Sequence, residues 1–158
     1  MFYQRLLFLF CVMLLLMAVF VPIDSNASYA DVLEKELKIV AKVLSFVDHK
    51  PSGDVPIDVI YNPSVSSSVT NANKVLETLE EGLNFGNVTL KGNKTVESSG
   101  AKIAYIATGA ENITDVLHER GVLTISLEPE CAISGKCVLA ITSVPKVSIH
   151  INTQTASL

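Results

Sequence analysis

The segment from residue 101 to residue 127 constrains the fold of this chain more than any other. Ala101 to Ala107 is apolar enough to form a buried strand, and Val122 to Leu127 is a second apolar run of similar length. Between them, Thr108-Gly109-Ala110-Glu111 has the pattern of a helix capping box, and Gly121 is placed to end that helix. Two strands joined by a helix form a βαβ unit, whose strands are parallel. The segment therefore predicts an α/β fold.

Helical and strand-like patterns alternate in the part of the chain before this unit. Apolar residues recur at helical spacing between Asp31 and Val47 and again between Ala72 and Leu83. Other predictions here are a strand over 55–61, a serine-rich loop over 64–68, a short strand over 88–90 and a polar loop over 91–100. Each helix is expected to lay one face on the sheet.

The last part of the chain has the pattern of a β-hairpin. Two strand-like runs, 138–142 and 147–151, are separated by a short segment that contains Pro145. In the second run Val147, Ile149 and Ile151 alternate with polar residues, so one face is expected to be apolar. The predicted architecture is a mostly parallel sheet flanked by helices, with an antiparallel hairpin at one edge.

The first 27 residues have the composition of a cleavable signal peptide rather than of a folded segment. Arg5 precedes an uncharged apolar run that Pro22 interrupts, and small residues follow at 25–27, so we expect cleavage between residues 27 and 30. A membrane anchor is the alternative, because the apolar run is close to the ~17 residues needed to cross a bilayer. The remaining chain, 28–158, is long enough for a single hydrophobic core and is predicted to be one domain.

Charge and cysteine content restrict the function of this domain. The whole chain carries a net charge of −4 without clustered Lys or Arg, which argues against a nucleic-acid partner. Cys131 and Cys137 are the two cysteines outside the leader, and an exported protein is expected to join them in a disulfide across a short loop. A metal site is the weaker alternative, because no second Cys or His pair stands at zinc-like spacing.

No residue pattern indicates catalysis or a cofactor. His49, His118 and His150 fall in separate elements, and the Asp115, His118 and Glu119 group is better interpreted as a solvated helix face than as a metal site. The Gly-x-Ser-x-Gly pattern of an activated serine is absent from the sequence. We therefore expect a protein that is not an enzyme.

Four residues are candidates for binding a small ligand. Asn62, Ser64, Thr108 and Gly109 all follow predicted parallel strands. Ligands of open α/β sheets bind at the carboxyl ends of such strands. A ligand-binding cleft at this edge of the sheet is therefore one of the hypotheses that the sequence supports.

Three segments together resemble the YfiR-like family of bacterial periplasmic proteins. They are Ile57-Asp58-Val59-Ile60-Tyr61-Asn62-Pro63, then Gly121-Val122-Leu123-Thr124-Ile125-Ser126 followed by the Cys131 to Cys137 loop, and then Val147-Ser148-Ile149-His150-Ile151-Asn152. The best-known member of that family holds an inner-membrane diguanylate cyclase inactive by binding its periplasmic part. The resemblance implies a periplasmic regulator that acts by contact with an inner-membrane signalling protein, with a diguanylate cyclase as the candidate partner. A homodimer is a second assembly that remains open.

The chain departs from this family at three points. Phe46-Val47-Asp48-His49-Lys50-Pro51 stands where many relatives have a Phe-Val-x-Trp-Pro segment, one cysteine pair replaces two, and relatives continue from the last strand into a final helix. Without that helix, one face of the sheet is expected to be uncovered unless a partner or a missing segment covers it. The alternative function is a periplasmic small-ligand binding domain related to the solute receptors of transporters.

Overall fold

The computed structural model describes residues 28–46 and 51–156, which form a seven-stranded sheet with helices on both faces. The predicted signal peptide lies outside the described residues. The strands are β1 (Gly53–Ile60), β2 (Leu83–Phe85), β3 (Val88–Thr95), β4 (Ile103–Ile106), β5 (Leu123–Ser126), β6 (Leu139–Thr142) and β7 (Ser148–Ile151). The helices are α1 (Tyr29–Leu44), α2 (Ser66–Leu79), α3 (Thr114–Glu119), α4 (Pro129–Ile133) and α5 (Thr153–Ala156), with a 3₁₀ turn at Glu111–Ile113.

The sheet has the order β2-β3-β1-β4-β5-β6-β7, and its five central strands are parallel. The α/β class, the parallel βαβ unit of β4 and β5 and the antiparallel hairpin of β6 and β7 are all confirmed. A second antiparallel pair, β2 with β3, forms the opposite edge. Because β2 has only three residues, that edge offers little backbone for further pairing.

The larger hydrophobic core lies between the sheet and the helices α1 and α2. Alternate residues of the strands point into it, as Val55, Ile57 and Val59 of β1 do. On α1 the buried residues Leu33, Leu37, Val40, Ala41 and Leu44 recur at helical spacing and fill the same core. Burying these side chains stabilises the fold by about 1.5–3 kcal/mol for each large aliphatic group.

The smaller core lies on the opposite face, beneath α3 and α4. Ile60, Ala104 and Ile106 come from the strands, and Leu117 comes from α3. The Cys131–Cys137 disulfide belongs to this cluster, with a Cα–Cα distance of 5.1 Å, so the predicted pairing is confirmed. Val122 completes the cluster just before β5 begins.

Three local predictions are wrong. Ser66 to Ser68 forms the first turn of α2, because Ser68 is buried and its hydroxyl accepts the Asn62 N–H at 2.9 Å. The polar stretch after Leu90 continues β3 as far as Thr95, since backbone pairing with β1 is independent of the side chains. Leu83 belongs to β2 instead of the preceding helix.

In the described part of the chain, no helix combines the length and apolar character needed to cross a membrane.

Candidate functional site

The sheet has a topological switch point between β1 and β4. From β1 the chain passes through α2 and β2 to β3 on one side, whereas from β4 it passes through α3 to β5 on the other. The connections that leave the carboxyl ends of β1 and β4 therefore diverge and leave a crevice between them. Open α/β sheets bind their ligands in such crevices.

Asn62, two residues after the end of β1, holds the two sides of this crevice together. Its Nδ2 donates to the carbonyl of Gly109 at 3.2 Å, and its Oδ1 accepts the N–H of Ser64 at 3.0 Å. Its own N–H donates to Ser68 Oγ at 2.9 Å. The structure thus brings Asn62, Ser64 and Gly109 together, with the amide of Asn62 engaged in positioning the two loops.

Thr108 and Gly109 follow β4, but they do not form the predicted capping box. The Thr108 hydroxyl donates to Glu128 Oε1 at 3.3 Å, and Glu111 Oε1 accepts the N–H of Gly109 at 2.9 Å. The 3₁₀ turn that precedes α3 displaces the helix start, and the Thr108 hydroxyl bonds to Glu128, beyond the end of β5, instead of to the helix amides. Gly109 has φ +84°, and a Cβ there would lie 3.1 Å from Val65 Cγ1, so glycine is required for this close approach.

A cleft of about 300 Å³ opens beside Asn62 at the carboxyl ends of β1 and β3. Its walls are Ile60, Tyr61, Asn62, Pro63, Val96, Glu97, Ala110, Asn112, Ile113 and Val116. The volume is near the lower end of the ~300–1,000 Å³ typical of small-molecule sites. Of the four candidate residues, Asn62 lines this cleft, and whether it or the other three bind a ligand stays a prediction.

Asp58 fixes one wall of the cleft from inside the sheet. Its fully buried carboxylate accepts four hydrogen bonds, from Asn93 Nδ2 at 3.1 Å, Ser98 Oγ at 3.3 Å, Ser99 N at 2.7 Å and Ser99 Oγ at 2.6 Å. Burial would raise the pKa of Asp58, but these donors outweigh burial and hold it below its ordinary value. The carboxylate therefore ties the loop that carries Val96 and Glu97 to β1.

A second candidate surface lies at the β7 edge of the sheet. Val147, Ile149 and Ile151 are 49%, 45% and 58% exposed, and pairing of Ile149 with Ile141 places the row on the α1 side. The Asn152 N–H donates to Val138 O at 2.9 Å, so by antiparallel alternation the backbone groups of Ile149 and Ile151 point away from β6. Within the described residues no strand pairs with them.

An apolar cavity of about 400 Å³ adjoins this row near the amino ends of β5 and β6. Ile151, Leu139 and Val43 line it, together with Leu123, Val122, Val138, His118, Gly121, Thr155 and Ala156. We call the exposed row of Val147, Ile149 and Ile151, together with this cavity, the β7 groove. It combines an uncovered apolar surface with unpaired strand backbone, two features typical of protein contact sites.

His118 and Asp115, two of the residues considered in the sequence, are accounted for by local structure, whereas His49 lies outside the described residues. His118 is buried, its Nε2 lies 2.7 Å from Thr124 Oγ1, and burial lowers its pKa. Asp115 forms an exposed ion pair with Lys136 at 3.1 Å. Residues 28–46 and 51–156 hold no group of three or more His, Cys, Asp or Glu side chains that could bind a metal ion.

Sequence reasoning missed Asp58, although a signal for it was present. A carboxylate between Ile57 and Val59, in a strand that continues with Ile60, must be either exposed or satisfied internally. The strand prediction could have raised that question, but the partner loop is distant in the chain.

No model of a known family, no curated protein and no solved structure matches this chain.

Proposed function

We propose that this domain is a non-catalytic periplasmic regulator that acts by binding another protein through the β7 groove. The observation that carries the proposal is the exposed row of Val147, Ile149 and Ile151 on an unpaired edge strand. Exposing three branched apolar side chains side by side is unfavourable in water, and covering them would remove that cost.

The edge backbone adds a second means of contact. The free N–H and C=O groups of Ile149 and Ile151 would accept an added strand, with the apolar side chains recognising alternate residues of that strand. β7 itself contains no Lys, Glu or Pro, which are the residues that usually block such pairing. The polar side of β7 is occupied internally, since His150 Nε2 lies 3.0 Å from Ser148 Oγ.

The partner we propose is an inner-membrane signalling protein, and a diguanylate cyclase with a periplasmic part is the first candidate. The support is the resemblance of the segments at 57–63, 121–126 and 147–152 to YfiR-like proteins, together with the export-type leader. In this proposal bound regulator holds the cyclase inactive, and release raises cyclic-di-GMP.

The proposal is tested by removing the apolar character of the groove while the strand is kept. Ile149→Thr with Ile151→Thr retains β-branched side chains, so β7 should still form. In cells that lack the native copy, this variant should leave the cyclic-di-GMP level as high as it is in cells without the protein. Phe85→Thr, which alters an exposed apolar residue on β2 at the opposite edge of the sheet, should lower cyclic-di-GMP as the wild type does. The opposite pattern would reject the groove as the contact surface.

The second candidate function is small-ligand binding in the cleft beside Asn62, and the specific observation that favours it is the cavity at the switch point. A ligand at a hundred times its dissociation constant would stabilise the fold by about 2.7 kcal/mol. Thermal-shift screening of periplasmic solutes with wild type and with Asn112→Ala, a cleft variant, tests it. A stabilising solute whose effect the variant abolishes supports this function, and the same solute effect in both proteins excludes the cleft.

A further inference from the structure

The sequence before α1 contains two bonds that a signal peptidase could cut. These enzymes require small residues at the first and third positions before the bond that they cut. Ser25 and Ala27 meet this requirement for a cut after residue 27. Ser28 and Ala30 meet it for a cut after residue 30. The two products differ only in residues 28–30, so the structural role of those three residues distinguishes the two sites.

Ser28 begins α1 as its N-cap residue. Its carbonyl oxygen accepts the N–H of Val32 at 3.1 Å, which is the first hydrogen bond of the helix. Its own N–H donates to Asp31 Oδ2 at 3.2 Å. A cut after residue 30 would remove the acceptor of the Val32 N–H. It would also place a positive ammonium group on Asp31 within the first turn, where the helix dipole favours negative charge.

Tyr29 connects this first turn to α2. The Nζ atom of Lys74 on α2 lies 4.0 Å from the centroid of the Tyr29 ring, within the ~6 Å range of a cation–π contact. Leu33 follows Tyr29 by four residues, so the two side chains lie on the same side of α1. Leu33 is only 2% exposed and belongs to the larger core. The first turn of α1 is therefore part of the packed domain, and a cut after residue 30 would remove the ring that contacts Lys74.

We propose that a signal peptidase cuts between Ala27 and Ser28, so that the mature protein begins with Ser28. The reaction is a hydrolysis, in which the bond between the Ala27 carbonyl carbon and the Ser28 nitrogen breaks and one water molecule is consumed. Its oxygen completes the Ala27 carboxylate, and its two protons make the Ser28 nitrogen an ammonium group. That nitrogen is the atom 3.2 Å from Asp31 Oδ2, so its new charge has a carboxylate partner. The inference rests on the export leader of the proposed function and not on the β7 groove.

N-terminal sequencing and intact mass spectrometry test the cleavage site. The full chain would be expressed with its leader in bacterial cells and purified from whole-cell extract. We expect a protein that begins Ser28-Tyr29-Ala30-Asp31. A shorter chain that begins with Asp31, or with any other residue, would overturn the site but leave export intact. A chain that keeps its whole leader would overturn the site together with the export on which the proposed function depends.

Two matched variants distinguish the two bonds. Ala27→Phe places a bulky side chain directly before the proposed bond, and Ala30→Phe does the same before the alternative bond. Ala30 is exposed, so its replacement should not disturb the packing of α1. Ala27→Phe should abolish release of the chain that begins with Ser28, whereas Ala30→Phe should release it as the wild type does. Release from Ala27→Phe, or loss of release from Ala30→Phe, would overturn the proposal.

Discussion

Replacing Asp58 by Asn should loosen the wall of the cleft beside Asn62 and make the loss of stability depend on pH. The wild-type carboxylate accepts hydrogen bonds from Asn93, Ser98 and Ser99. An amide offers one acceptor oxygen, and its NH₂ group faces donors, so about two of the four bonds are lost. Hydrogen bonds to a charged group contribute about 1.5–3 kcal/mol each, but Asn93 and Ser99 are exposed and their groups can turn to water. We therefore expect a loss of about 1–3 kcal/mol at pH 7.

The sign of the pH dependence follows from the lowered pKa of Asp58 in the folded protein. The carboxylate stabilises the fold fully above the unfolded pKa of about 3.9, and this contribution is lost as pH falls through the folded pKa. Urea unfolding of wild type and Asp58→Asn should thus give midpoints that differ clearly at pH 7 and converge towards pH 3. The control is Asp54→Asn on the same strand, whose exposed pair with Lys91 at 2.6 Å should contribute less than about 1 kcal/mol. Equal losses in the two variants at pH 7, or a loss for Asp58→Asn that does not change with pH, would refute the reasoning.

Three further predictions concern Gly109, the disulfide and His118. Gly109→Ala should cost more in urea unfolding than Gly53→Ala, because both have positive φ but only Gly109 has a neighbour, Val65, within 4 Å; equal costs would contradict this. Dithiothreitol should lower the unfolding free energy of the wild type by about 2 kcal/mol or less, because the disulfide closes a loop with a sequence separation of only 6. It should not change the unfolding free energy of a variant in which both cysteines are replaced by serine. Burial lowers the pKa of His118, so its contribution to stability should be present above about pH 6.5 and fall as pH falls. His118→Gln should therefore lose less unfolding free energy between pH 7 and pH 5 than the wild type does. An unchanged loss would exclude His118 as the cause.

Patterns within short segments predicted the elements that depend on local sequence. The apolar spacing after Asp31 predicted α1, and Gly121, with φ +66°, ends α3 as expected. The βαβ unit and the hairpin were predictable because each joins strands that are neighbours in the chain. The disulfide was predictable because its loop is short.

Features that depend on distant partners were not predictable in the same way. Lys91 to Thr95 has a polar sequence, yet it forms a strand because β1 lies beside it and Asp58 accepts a hydrogen bond from the side-chain amide of Asn93. The Ser143 N–H donates to Glu36 Oε1 at 2.7 Å, but the two residues are 107 positions apart, so no local pattern joins them. The sequence placed Asn62 and Gly109 after predicted parallel strands, but it could not show that these strands are neighbours or that the Asn62 amide is occupied by the loops themselves.

Photo-crosslinking from the β7 groove tests most directly whether this protein acts by contact with a membrane protein. A photoreactive amino acid would replace Ile149, which is 45% exposed, in the full chain in bacterial cells. In the control, the same photoreactive amino acid replaces Phe85, which is 36% exposed and lies on β2 at the opposite edge of the sheet. We expect irradiation to join the Ile149 derivative to one inner-membrane protein and the Phe85 derivative to none. A protein that crosslinks to no membrane protein from Ile149, or equally from both positions, would contradict the proposed regulatory contact.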